Sequence, residues 1–257
     1  MASGVSFPVA AETRVHETHF AVTFGGLEIG RAKFHIEFDE ESYSLSGSGK
    51  TSGLAEWFSS ASGKVESSGQ LIEDALKPKT HFVSVTEKKK TETLEMSFAN
   101  DAVENVDLKT VKPRKPKLPP KYVPVEAQHL ASVLDPASSM IIPMSGDDAK
   151  NPIKVCNHTF PIFDGETRYD IELSYKSTQP VKTKGYDGWA HVCKLKYVPV
   201  AGHKKNHRSV KEMAENDHME IWLAPMGGVS VFTPIKILVG TKYGRFAASP
   251  SYFGLVE

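Results

Sequence analysis

The sequence predicts a mainly β fold built from antiparallel hairpins, with a few short helices. Three observations lead there: two-residue alternation in both halves of the chain, glycine-marked turns between the alternating runs, and no strand-helix-strand rhythm of the kind that builds parallel sheets. In 31–38, Ala32, Phe34, Ile36 and Phe38 fall on one face while Arg31, Lys33, His35 and Glu37 fall on the other, the pattern of a half-buried strand. The same period recurs in 16–24 (Phe20, Val22, Phe24), 94–98, 169–175 (Tyr169, Ile171, Leu173, Tyr175) and 189–197 (Trp189, Cys193, Leu195, Tyr197). Turns fall at Gly25-Gly26 and Asp164-Gly165, both suited to tight hairpins.

Helical signals are fewer. A short piece is expected near Leu54–Phe58, a second from Glu126 to about Leu134, and a third beginning at Asp135-Pro136, where Asp is a good N-cap and Pro fits the first turn. These would act as plugs or lids on a sheet. Between the halves, Lys109 to Lys121 holds six basic residues, four prolines and no acid. Proline imposes extended backbone there and the charges keep it solvated, so 109–124 reads as a connection between two sheet segments or as a basic docking arm. The expected organisation is an N-terminal extension, 1–14, followed by one domain, 15–257.

Composition removes several function classes. Lys plus Arg and Asp plus Glu each number 31, so no global field points to nucleic acid or to an anionic membrane, and any charged partner must meet a local patch. Apolar residues at 40% and charged residues at 24% suffice for a core and are too balanced for a disordered chain. The apolar run around Met140–Met144 is far too short to cross a bilayer. At the N-terminus, Phe7-Pro8-Val9-Ala10-Ala11 has the small-residue character found near cleavage sites, which suggests a mature start from which a leader has been removed, with Met1 added.

The two cysteines, Cys156 and Cys193, each lie in an apparent strand. They are compatible with a cross-strand disulfide, which would constrain the unfolded chain by about 4 kcal/mol, and equally with two buried thiols in a reducing compartment.

No motif names a reaction. The run Ser44–Thr51 ends like a phosphate-binding loop but has Ser44 where the first glycine belongs, and it lies between strands and not before a helix. His203 and His207 have the spacing of a helical metal pair, but Lys204, Lys205 and Arg208 crowd them with positive charge and no third ligand is near. His16 and His19 fall on opposite strand faces. There is no Gly-x-Ser-x-Gly elbow, and Ser138 and Ser139 read as helix-start residues. Neither a metal nor a cofactor is expected. Trp57, Phe58, Trp189, Tyr197, Trp222 and Phe232 are groove candidates, although most aromatics of such a chain serve the core.

Several stretches together resemble a bacterial envelope family called domain of unknown function 3108. They are Tyr43 to Leu54, Asp135-Pro136-Ala137-Ser138-Ser139, and Phe160 to Asp170 with its Phe-Asp-Gly-x-x-Arg-Tyr run. Cys156, Gly185-Tyr186, Cys193, Tyr197 to Gly202 and Ile221 to Pro225 look like the version carried by alphaproteobacteria. The resemblance implies an antiparallel sheet curled into a barrel-like form, a periplasmic location and a Cys156–Cys193 disulfide. It carries no catalytic residues. The Phe-Asp-Gly-x-x-Arg-Tyr run has its own explanation as a turn, with Arg168 pairing to Asp164 or a neighbouring acid.

The function expected from these readings is a non-enzymatic periplasmic protein that supports envelope growth or integrity by binding peptidoglycan or wall-associated proteins. Lys112, Arg114, Lys115 and Lys117 of the basic arm are the electrostatic candidates, and Trp57, Phe58 and Trp222 the groove candidates. The alternative is a carrier of lipid or lipoprotein acyl chains in an apolar barrel cavity. A hydrolase assembled from distant strands is the third class, since triads are recognised by geometry and not by sequence order.

Overall fold

In the computed structural model, residues 13–53, 60–112, 117–227 and 231–256 are described. They form one antiparallel sheet that curls without closing into a barrel. β1 (Arg14–Phe24), β2 (Leu27–Phe38), β3 (Ser42–Thr51), β4 (Ala61–Ile72), β5 (Ala75–Glu87), β6 (Lys90–Ala99) and β7 (Ala102–Lys109) form one meander. The second contains β9 (Thr159–Phe163), β10 (Arg168–Thr183), β11 (Tyr186–Ala201), β12 (Met219–Pro225), β13 (Val231–Thr241) and β14 (Gly244–Leu255). β1 pairs with β14, so the meanders join in the middle of the sheet through the first and last strands of the chain. A two-residue strand, β8 (Ile142–Pro143), pairs with β13.

Register follows the alternation read from the sequence. Phe34, Ile36 and Phe38 lie opposite Gly47, Leu45 and Tyr43, and these face a cluster completed by Ala137, Ile141, Met226 and Val231. A second cluster holds Ile142, Met144, Val155, Leu173, Leu223 and Phe232 around the two cysteines. The centre of the curl is therefore filled by the chain from Asp135 to Met144, which crosses the interior and is buried along most of its length.

The free edges, β7 and β9, approach without pairing. Ala131 bridges Ala102, while Leu134 donates to Pro161 O (2.8 Å) and accepts from Phe163 N (2.9 Å). Met96, Val133 and Phe163 pack beneath this stitch. Gly165 sits at the same seam with φ 91° and its α-carbon against Leu94, where a β-carbon would fall 2.6 Å from Leu94 Cδ1; both constraints select glycine.

The helical expectations are corrected here. Residues 126–134 form only a one-turn 3-10 segment, Ala127–Leu130, because the following residues are drawn out to stitch the edges. The segment after Asp135 likewise makes a single 3-10 turn, Ser138–Met140. The expected helix near Leu54–Phe58 lies outside the described residues. Cys156 is not in a strand: it caps a one-turn helix, α1 (Pro152–Val155). Cys193 lies in β11 as expected, and the two form a disulfide with Cα atoms 5.4 Å apart. Trp189 shares the alternation of Cys193, yet β11 runs beyond the core there and leaves Trp189 62% exposed.

Candidate functional site

The face of β2–β6 turned away from the core carries hydroxyls and charges, because strand periodicity sends every second residue there. In β3 these are Ser44, Ser46, Ser48 and Lys50, and in β4 Ser62, Lys64, Glu66 and Ser68. Register aligns them into cross-strand rows. One runs Arg31, Lys50, Ser62, Thr86, Thr91; the next runs Lys33, Ser48, Lys64, Ser84, Thr93; a third runs His35, Ser46, Glu66, Phe82, Glu95. The rows line an open groove of about 870 Å³, which His19 and Ser251 border at β1 and β14. A second hollow of about 360 Å³ shares Lys33, Ser48, Lys64 and Glu66 with it and reaches Glu17 and His35.

Charge in the groove is arranged unevenly. Glu17 meets Lys33 (2.8 Å), His19 (3.0 Å) and His35 (3.4 Å). Burial alone would raise its pKa, but the hydrogen bonds from Lys33, His19 and His35 and the Lys33 charge outweigh that and lower it to about 2. Arg31 is held by Glu28 at 2.8 Å. Among the described residues, Lys50 and Lys64 form no ion pair within 4.0 Å. Lys50 also stands directly opposite Arg31, a like-charge pairing that weakens a sheet. Two amines, a field of hydroxyls and the half-buried ring of Phe82 thus share one concave surface.

A second polar constellation is buried. Asp135 Oδ1 accepts from Ser67 Oγ (2.8 Å), Ala137 N (3.0 Å) and Ser138 N (2.9 Å), and lies 2.9 Å from His81 Nδ1. Its Oδ2 accepts from Ser138 Oγ at 2.5 Å, and Tyr43 donates its hydroxyl to that same Oγ at 2.8 Å. Burial is the largest influence on the Asp135 carboxyl and pushes its pKa up; the His81 and Ser138 hydrogen bonds and the His81 charge together outweigh it and hold it below the ordinary value. Ser67 and Asp135 both meet Nδ1 of His81, whereas a hydrolytic relay needs the nucleophile on the nitrogen remote from the acid. This cluster therefore clamps the interior segment to β3, β4 and β5.

The family described as "Protein of unknown function (DUF3108)" matches residues 19–249, most of the chain. The chain belongs to the DUF3108 family. No curated protein matches it. Its fold is similar to the crystal structure of a beta-barrel-like protein of domain of unknown function DUF1849 from Brucella abortus, with a TM-score of 0.52, 10% identity, and coverage of 95% of this chain and 98% of that one.

In this DUF3108 chain three of the binding candidates singled out from sequence, Lys112, Lys117 and Trp222, lie among the described residues. Lys112 is exposed beyond β7, Lys117 is paired with Glu166 at 3.3 Å, and Arg114, Lys115, Trp57 and Phe58 lie outside the described residues. Trp222 is half-buried on β12, with Lys236 Nζ 4.6 Å from its ring centroid and its indole N–H directed to Glu220 (3.4 Å), and is not part of the groove. Phe232 is core, and Arg168 pairs with Asp170 at 2.6 Å. The groove itself had a sequence signal, the Ser/Lys alternation of β3 and β4. Along the chain alone, the β3 part, Ser44–Thr51, resembles only an incomplete phosphate loop, and the β3–β4 register is what joins it to the β4 part. Among the described residues no group of three His, Cys, Asp or Glu side chains is placed to hold a metal.

His16 sets an acid limit on this DUF3108 fold. It is buried on β1 against Phe253 (4.3 Å between centroids), and neither ring nitrogen has a hydrogen-bond partner among the described residues. Desolvation lowers its pKa from 6.5 to about 4, against a smaller opposing pull from Glu17. The unfolded chain therefore binds a proton that the folded chain refuses, so stability is complete above about pH 6.5 and falls as pH drops toward about 4, by about 3 kcal/mol in all. Urea midpoints measured between pH 7 and 4 should show this loss, and His16→Leu should flatten it; an equal slope in that variant would assign the loss elsewhere.

Proposed function

We propose that this DUF3108 protein is a non-enzymatic, exported binding protein of the bacterial cell envelope that holds peptidoglycan strands in the β1–β6 groove. The observation that carries the reading is the alignment of Lys50 and Lys64 with the Ser and Thr rows across that concave face. Glycan hydroxyls are matched by side chains that both donate and accept, the Phe82 ring offers an apolar floor for a sugar face, and the amines suit the carboxylates that peptidoglycan bears. The buried disulfide supports a periplasmic location, because such bonds persist in oxidising compartments. Wall-associated proteins remain the second partner class for the same face.

The acyl-chain carrier is the weaker reading. One apolar recess of about 340 Å³, lined by Val22, Ala32, Ala61 and Val85 among others, favours it, whereas the chain from Asp135 to Met144 occupies the centre of the curl. Purified sacculi test the leading reading. The protein should co-sediment at low ionic strength, where amine–carboxylate attraction is least screened, and Lys50→Glu with Lys64→Glu should weaken binding about tenfold or more. Absence of the unmodified protein from the pellet would overturn it.

A further inference from the structure

Antiparallel connectivity sends alternate turns to opposite ends of the sheet. At one end, the β1–β2 and β13–β14 hairpins lie side by side because β1 and β14 are paired. Their tips expose Leu27 (61%), Tyr243 (77%) and Phe246 (41%), and Phe24 packs on Phe246 with ring centroids 4.5 Å apart. Gly25 N donates to Arg245 O (3.0 Å), which locks the two tips together. Large apolar side chains so exposed on adjoining turns cost solvation and lend nothing to the core, the usual mark of a docking surface.

The charges say what docks. Lys242, whose Nζ meets Glu212 at 2.6 Å and lies 4.9 Å from the Tyr243 ring centroid, and exposed Arg245 flank the tips. At the same end, the β5–β6 turn places Lys88 and Lys89 at φ 47° and 68°, left-handed positions that favour Gly or Asn. At the opposite end the β2–β3, β4–β5 and β6–β7 turns carry acids, Asp39, Glu40 and Glu41, then Glu73 and Asp74, then Asp101, while the β10–β11 turn carries Lys184. The β9–β10 turn adds Asp164 and Glu166 to the basic end, across the sheet from the tips, with Glu166 paired to Lys117.

We propose that the paired hairpin tips form a membrane-docking surface, with Leu27, Tyr243 and Phe246 entering the headgroup region of an anionic bilayer while Lys242, Arg245, Lys88 and Lys89 meet its phosphates. Exposed turns carrying apolar and aromatic side chains, with cations on the same end of the sheet, suit a bilayer, where apolar burial and attraction to anionic lipid add. A protein partner would present a matching concavity of its own. This site is separate from the glycan groove and stands or falls without it.

Vesicle flotation tests the proposal, with phosphatidylcholine alone and with roughly one third phosphatidylglycerol. The protein should float with the anionic vesicles, release as salt rises, and ignore the neutral ones. Leu27→Ser with Tyr243→Ser should cut the bound fraction about tenfold at unchanged near-ultraviolet circular dichroism. Lys242→Gln with Arg245→Gln, which leaves the apolar tips in place, should lower it and reduce the salt dependence. No flotation with anionic vesicles at low salt, equal flotation with neutral ones, or wild-type binding by both variants would overturn it; capture of a protein partner without lipid binding would do the same.

Discussion

Asp135→Ala is expected to lower the unfolding temperature by roughly 10 °C, since removing one partner of a buried charged cluster costs about 3–5 kcal/mol and each kcal/mol moves a domain of this size by about 2–4 °C. The side chain serves five groups at once: the backbone amides of Ala137 and Ser138, both serine hydroxyls and His81. Its loss strands these donors in the buried interior. Asp135→Asn keeps the volume and part of the acceptor capacity, so it should fall between. Ser67→Ala, which leaves His81 facing the carboxylate, should cost only about 1 kcal/mol. Calorimetry of the three variants checks the order, and Asp135→Ala at wild-type stability would mean that the interior segment is held by packing alone.

The second large effect is expected at the disulfide. Replacing Cys156 and Cys193 by Ala should remove about 2–5 kcal/mol, with the loop-closure contribution near 4 kcal/mol for a sequence separation of 37. Both sulfurs are fully buried among Ile142, Met144, Val155, Leu223 and Phe232, so the loss includes packing as well as chain entropy. The bond ties the end of α1, which follows the interior segment in the chain, to β11. Urea titration of the double variant should give a lower midpoint, and a reductant should reach the native protein only slowly because the bond is covered. An unchanged midpoint would show that the interior segment holds its place without the crosslink.

Strand structure was legible because its cause is local. Ala32, Phe34, Ile36 and Phe38 face the core for the reason their spacing suggests, and Asp164-Gly165 turns the chain as those residue types require. The segment 126–140 was misread because its decisive partners are distant. Leu134 is drawn straight by Pro161 and Phe163, and Asp135 accepts hydrogen bonds from Ser67 on β4 as well as from its own turn; nothing within fifteen residues announces either. The same limit applies to the groove. Lys50 and Lys64 become neighbours in one field only through the register of β3 with β4, so single-strand reading favoured the denser charge of the 109–121 run, where Lys117 turns out to be occupied by Glu166.

The pairing of β1 with β14 has a kinetic side. His16 faces Leu255 and Phe24 faces Phe246 across that ladder, contacts between residues at opposite extremes of the described chain. A meander can zip along its own hairpins quickly, but a ladder of such high contact order is slow to form. Until β14 arrives, the β1 side of the first meander presents unsatisfied amides and carbonyls to any other chain nearby, and this interval is when aggregation competes most strongly with folding.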